Sequence, residues 1–294
     1  MPVPPDLFVG LVTHPGSRFP EARTTNGLAA GVVDEARRLG WTVDSVVIDD
    51  DLLTDDMLTI SHSEVVASIT AELTVERQWR EYVAGRPLTL KERAVLAARR
   101  VKRHLDLAPP WQRHLAAESA GARMVRRLAN IELAHLAAMR AAKESGARWV
   151  LLLEDDAQCH EPTAFTQDLV VFVTAADVAG EPLMMNLSES FTVEQLGIGH
   201  LLTPRRNKGQ PLGWNTSAAT RIITNTVCAV LYRGGYLSKL VEAIEWIPLS
   251  PVIPIDFKVN SAVMHINDQF PAGACWIVSP APVEQGSGVP HVLR

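Results

Sequence analysis

Residues 148–156 read Arg-Trp-Val-Leu-Leu-Leu-Glu-Asp-Asp, an apolar run that stops against three adjacent carboxylates. The stretch 150–153 has no polar position, which predicts a strand buried on both faces, as in a parallel sheet covered by helices. Carboxylates at the end of such a strand are costly unless water, a cation or a partner meets them. In an extended chain Glu154 and Asp156 point to one side and Asp155 to the other. Two carboxylates on one side suit a hard divalent cation, which prefers oxygen ligands and often binds through carboxylates plus substrate phosphates. The pattern points to sugar or phosphate transfer.

The elements around this strand have an α/β rhythm. Before it, 128–145 predicts an amphipathic helix with Leu128, Ile131, His135, Met139 and Ala142 on one face and Gly146 as its stop. Near the start, 6–13 predicts a buried strand, followed by the loop His14-Pro15-Gly16-Ser17-Arg18, a helix over 25–39 and a second strand over 41–48. This β-loop-α-β opening starts a parallel sheet with crossovers. Residues 55–127 lack strand signals and are rich in Ala, Leu, Arg and Glu, so they read as a helical insertion within a single domain spanning 1–294. Downstream, the expected elements are a helix at 162–176, a strand at 183–187, a long polar loop over 188–218, a strand at 224–232, a helix at 235–243, a helix at 255–264, a strand at 275–278 and a glycine-containing tail from 284.

Composition narrows the class. At 294 residues, 47% hydrophobic and 21% charged, the chain is ordinary for a globular protein with a large core. No apolar stretch is long enough to span a bilayer, and residues 1–6 have neither a basic leader nor an apolar core of a signal peptide. Cys159, Cys228 and Cys275 are scattered and form no CxxC framework, so a reducing, cytoplasmic setting is expected. Net charge is −5, yet 76–127 carries 13 Lys/Arg against 5 Asp/Glu, which leaves the rest of the chain near −13. Such a segment is either a set of solvated helices or a surface that meets something anionic: a membrane face, a lipid phosphate or an acidic partner. It has few aromatics and no nucleic-acid motif, so nucleic acid is not expected as a partner.

Several of these residues resemble glycosyltransferase family 25, the lipooligosaccharide and collagen galactosyltransferase-like group. They are Glu132 and Ala134-His135 on the helix, then Leu153-Glu154-Asp155-Asp156-Ala157 at the strand end. The small-residue strand and Gly/Leu-rich helix of 226–240, the segment Pro254-Ile255-Asp256, and Val283-Glu284-Gln285-Gly286-Ser287 are also similar to the family's pattern. The likeness covers most of the chain after residue 128. The first loop departs from the family's Asn-Leu-Asp-Arg-like opening, and the helical insertion is not part of that pattern, so this is a divergent resemblance. It implies a GT-A-type fold, a Rossmann-like and mostly parallel sheet flanked by helices, binding a nucleoside diphosphate sugar at the carboxyl ends of its strands.

With that resemblance, Glu154 and Asp156 are the expected ligands of Mn²⁺ or Mg²⁺ at the donor's diphosphate, the alternative being a cluster that caps a following helix. Asp155 would reach the ribose or brace its loop. Thr13, His14, Ser17 and Arg18 follow the first strand, where they could hold base, ribose or phosphate, or form an ordinary surface loop. His135 sits on an apolar face and reads more simply as a core histidine than as a ligand; Glu132 approaches the site or caps its own turn. Asp256 is a candidate general base for an acceptor hydroxyl, with a helix N-cap as its local alternative, and Glu189 is an equal rival. Gln285 and Ser287 fall in the terminal segment, and His291 is a candidate for the C-terminal His that completes the metal site in several GT-A enzymes, the alternative being a frayed terminus. Arg205, Arg206 and Lys208 are either a lid over the diphosphate or a solvated loop.

The activity expected is transfer of a sugar from a nucleoside diphosphate sugar, UDP-linked, to a glycan or glycolipid acceptor. The basic insertion would serve at the inner face of a membrane or in self-association. Two alternatives remain: a sugar-phosphate nucleotidyltransferase, for which Gly16 and Arg18 are a thin phosphate loop, and a non-catalytic nucleotide-sugar-binding relative.

Overall fold

A computed structural model of the chain describes residues 6–14, 17–25, 27–49, 51–54, 59–113, 119–179 (without side chains 178 and 179), 182–188, 192–205, 214–223, 227–246, 254–279 and 281–286. The greasy stretch forms a six-residue strand, β3 (Trp149–Glu154), whose first five residues are fully buried. Two parallel neighbours precede it in sequence: β1 (Leu7–Val12), paired with β3 from Leu7↔Trp149 to Val12↔Glu154, and β2 (Val43–Ile48), paired with β1. The helix α1 (Leu28–Arg38) crosses between them. Its chain reverses at Gly40, whose φ of 88° is a left-handed value that favours glycine.

Two further helices follow β2: α2 (His62–Ala84) and α3 (Leu90–Leu107), each opened by a capping box, Ser61 with Glu64 and Thr89 with Glu92. The next helix, α4, runs unbroken over Ala120–Ser145 with Ser119 as its cap. The expected helix start at 128 is therefore eight residues late. The first two turns carry Gly121 and three arginines, Arg123, Arg126 and Arg127, with little apolar periodicity, so the sequence pattern hides them. Gly121 is required there, because a Cβ would lie 1.9 Å from the Leu107 carbonyl oxygen where α3 meets α4. A small core of Ile60, Val65, Ile69, Ala122, Val125 and Ala129 joins this insertion to α4. Tyr82, near the end of α2, fixes it to the frame by donating to Ile222 O (3.1 Å) and Asn267 Oδ1 (2.5 Å).

After β3 come a short strand β4 (Ala157–Gln158), helix α5 (Pro162–Ala179), β5 (Met184–Asn186) and a one-turn helix α6 (Val193–Leu196). Then follow β6 (Leu202–Arg205), β7 (Thr216–Ala219), β8 (Ala229–Arg233), α7 (Gly234–Trp246), α8 (Ile255–Ile266), β9 (Cys275–Val278) and β10 (Glu284–Gln285). The long polar loop expected over 188–218 is thus partly structured: α6 and the antiparallel pair β6–β7 lie within it. Its strands are short and polar, and Pro204 is tolerated because β6 is the sheet edge, where no ladder partner needs its missing N–H. The strand expected from 224 begins at Ala229; 224–226 lie outside the described residues.

The main sheet has eight strands in the order β2-β1-β3-β8-β5-β9-β7-β6, with β8 and β7 opposed to the others. The fold is thus α/β, with a mixed, mostly parallel sheet flanked by helices and compatible with a Rossmann-like arrangement. Alternation along β3 divides the core in two. Trp149, Leu151 and Leu153 face the layer holding α1 and α5; Val150 and Leu152 face that holding α4, α7 and α8. Each such leucine, removed from water, contributes roughly 2 kcal/mol. That two-sided demand explains why the strand has no polar residue until the sheet ends.

Candidate active site

The carboxyl ends of β1 and β3 and the start of the opposed β8 meet at one edge of the sheet. The backbone N–H of Glu154 donates to Cys228 O at 2.8 Å, so the residue just before β8 is brought beside the residue that ends β3. A cavity of about 850 Å³ opens there, within the size range of small-molecule sites. Thr13, His14, Glu154, Asp155, Asp156, Asp256 and Gln285 line it.

The three adjacent carboxylates take different partners. Glu154 and Asp156 converge with the Cys228 thiol, their ligand atoms all within 4.8 Å of one another, a group that could hold a metal ion. Asp155 turns away and accepts from Thr13 Oγ1 at 2.8 Å, which ties the end of β3 to the end of β1. No helix begins at the cluster: β4 follows it and α5 starts at Pro162, so helix capping does not account for the acids.

Burial pushes the Asp156 carboxyl up, and the neighbouring Glu154 charge adds to this; hydrogen bonds from Gln285 and Cys228 pull it back. The Cys228 thiol donates to Asp156 Oδ1 at 3.5 Å. Burial, then the charges of Glu154 and Asp156, hold that thiol well above its ordinary value, so it stays protonated beside them. The pair β4–β10 carries Gln285 over the acidic turn, and the Gly286 N–H donates to Asp156 O at 2.6 Å. A Cβ on Gly286 would stand 2.6 Å from the Gln158 side-chain amide and 3.0 Å from that same oxygen, so Gln158 would have to shift to admit one.

Asp256 stands in the first turn of α8, across the cavity. The helix cap is Pro254, so the N-cap alternative for Asp256 fails; its carboxylate instead accepts from the Val227 backbone. Protein surrounds the recess it faces, and this desolvation, with the Glu154 charge second, pushes Asp256 up to about 6, while the His135 charge and the Val227 hydrogen bond oppose the rise. Its surface remains open to the cavity itself.

Further residues stand behind the acidic group or wall the cavity. His135 is 1% exposed, as a core histidine would be, but its Nε2 donates to Glu154 Oε1 at 2.8 Å, directly behind the acidic group. Glu132, one turn earlier on α4, pairs in the interior with Lys258 of α8. Burial pushes the Glu132 carboxyl up and Lys258 pulls it down. The helical insertion supplies a cavity wall through Trp79, Arg80, Arg86 and Arg127. Arg80 is paired with Glu76 (2.7 Å) and Arg86 with Glu92 (2.9 Å), both acids also lining the cavity. The helical spacing of His135 with Glu132, three residues apart and both inward, was the available sequence signal for the first two. Nothing in the sequence marked Cys228 or Lys258.

Ser17 and Arg18 do not line the cavity: the Ser17 hydroxyl accepts from Phe19 N at 3.0 Å within its own turn, and Arg18 is exposed. Glu189, Ser287, His291, Arg206 and Lys208 lie outside the described residues, and Arg205 ends the edge strand β6. No described helix is long and apolar enough to cross a membrane. Comparison of the chain with protein-family models gives no match, and comparison with curated proteins gives none either.

Proposed function

We propose that the protein is a metal-dependent glycosyltransferase of GT-A type that takes a nucleoside diphosphate sugar, UDP-linked, as donor and a glycan or glycolipid as acceptor. The observation that carries this reading is the convergence of Glu154 and Asp156 at the carboxyl end of a buried strand, in a cavity with Asp256 on its other wall. Crevices at the carboxyl ends of sheet strands are where ligands of open α/β folds bind. The order β2-β1-β3-β8-β5, with β8 opposed, and the similarity of the acidic strand to family 25 support the GT-A assignment.

The donor set fits a hard cation. Two carboxylates offer oxygen, and the protonated Cys228 thiol need not ligate, which favours Mn²⁺ or Mg²⁺ held by Glu154 and Asp156. When bound there, the ion supplies positive charge against which a leaving diphosphate is stabilised. His135 holds the Glu154 carboxylate from behind and Gln285 holds Asp156 from above, so neither ligand is free to turn away. Thr13 and Asp155 form a hydrogen-bonded pair at the mouth of β1, and this pair is assigned the ribose of the nucleotide.

Asp256 is assigned the acceptor side. Raised to about 6, its carboxylate is ionised at neutral pH yet more basic than an ordinary aspartate, the combination wanted for accepting a proton from an attacking hydroxyl. Arg127, Arg80 and Trp79 of the insertion wall then face whatever occupies the rest of the chamber. Calorimetric titration of UDP with and without Mn²⁺, on the native protein and on Asp156→Ala, tests the reading.

A further inference from the structure

Helix α3 carries its apolar side to the wrong place for a folded interior. Leu90, Ala94, Ala97, Val101 and Leu105 recur at i, i+4, i+7, i+11 and i+15 and are all exposed. Leu90 is 86% exposed, Val101 59% and Leu105 52%. The opposite side of the helix meets the protein: Leu96 is buried, and Arg99 and Arg103 pair with Glu76 (3.2 Å) and Glu72 (3.4 Å) of α2. Trp111, four residues past the helix, is 74% exposed.

The stripe is rimmed by cations. On the helical wheel Arg93 and Arg100 border one side of it and Lys91 and Lys102 the other, and none of the four has a carboxylate partner among the described residues. An exposed apolar stripe bordered by unpaired Lys and Arg, with an exposed Trp nearby, is the pattern of a helix lying in the plane of a lipid interface. Anionic headgroups complement the rim, and apolar acyl chains the stripe. A two-fold pairing of copies through the same stripe would bring the unpaired cations of each rim against one another, which opposes self-association.

We propose that the Leu90–Leu107 helix is a docking face for an anionic lipid bilayer. Leu88, just before the helix, and Glu92 in its first turn line the chamber, while Leu90 stands roughly 200° around the helix from Glu92 and begins the stripe on the outer side. The docking itself stands apart from the proposed transfer chemistry, and its test contains neither nucleotide nor metal.

The test is co-sedimentation of the full chain with vesicles of phosphatidylcholine and phosphatidylglycerol in equal parts, against vesicles of phosphatidylcholine alone. Two doubly substituted proteins are compared, Val101→Glu with Leu105→Glu, and Lys91→Gln with Lys102→Gln, each checked for native circular dichroism. The account expects partition about tenfold stronger on the anionic vesicles, weakened by salt and reduced about tenfold by either pair. Equal partition to both vesicles, no partition at all, or partition indifferent to both pairs overturns it. Light scattering that finds a dimer dispersed by the Val101/Leu105 pair also overturns it, by giving the stripe to a second copy.

Discussion

His135 Nε2 lies 2.8 Å from Glu154 Oε1, a contact between the middle of a helix and the last residue of the central strand. The imidazole is buried and the carboxylate faces the cavity, so the helix sets the direction in which the strand's acid points. Partners standing behind a metal ligand fix its orientation, and their loss typically lowers metal affinity about 10- to 100-fold. His135→Ala is expected to weaken Mn²⁺ binding by about tenfold or more, while His135→Gln, which can still donate, retains more of it. Titration calorimetry with Mn²⁺ alone measures both; an unchanged affinity in His135→Ala removes the imidazole from the site.

Asp256 sets function against stability. Its carboxyl is raised from an ordinary 3.8 to about 6, chiefly by desolvation. The folded chain therefore resists its ionisation more than the unfolded chain does. The stability associated with it is complete below 3.8 and falls as pH rises through about 6. Asp256→Asn is expected to be more stable than the native protein near pH 7 by roughly 1 kcal/mol, after discounting for the open side of the carboxylate. The difference should close below about pH 4. Urea denaturation across that range reads it. Turnover, in contrast, should be lost in the same variant; a variant that keeps its rate removes Asp256 from the reaction.

The ion pair of Glu132 and Lys258 joins α4 to α8, the two helices that carry His135 and Asp256. Their side chains are 4% and 11% exposed. Removing one member leaves a charge with no water and no partner, which costs about 3–5 kcal/mol in comparable pairs. Lys258→Met is expected to destabilise on that scale, and Glu132→Leu combined with Lys258→Met to recover most of the loss. Chemical denaturation of the two variants checks it. Equal stability of Lys258→Met and the native protein would contradict a buried pair.

These relationships explain what could be read from the sequence. The acidic strand end was legible because each residue of 149–153 must satisfy a core on one face or the other, and Glu154 breaks that demand abruptly. The opposition of Asp155 to Glu154 and Asp156 agrees with the two-residue period of an extended chain, although β3 ends at Glu154 and the next two residues form a turn. Other partners were not legible, because they arrive through topology. Cys228 is beside Glu154 only because β8 runs opposite to β3, and Lys258 meets Glu132 only because α8 packs on α4. His135 was visible as an inward residue, but inward here means both buried and behind an acid. The insertion wall is a similar case: its basic residues were evident as composition, while their place in the cavity depends on how Tyr82 ties α2 to the frame.

The central claim is that Glu154 and Asp156 hold a divalent cation that in turn holds a nucleoside diphosphate. Isothermal titration of UDP into the native protein and into Asp156→Ala, each with and without Mn²⁺, tests it most directly. The account predicts UDP binding that requires Mn²⁺ in the native protein and falls at least about tenfold in Asp156→Ala. Binding of UDP that ignores Mn²⁺, or is untouched by the substitution, would contradict it.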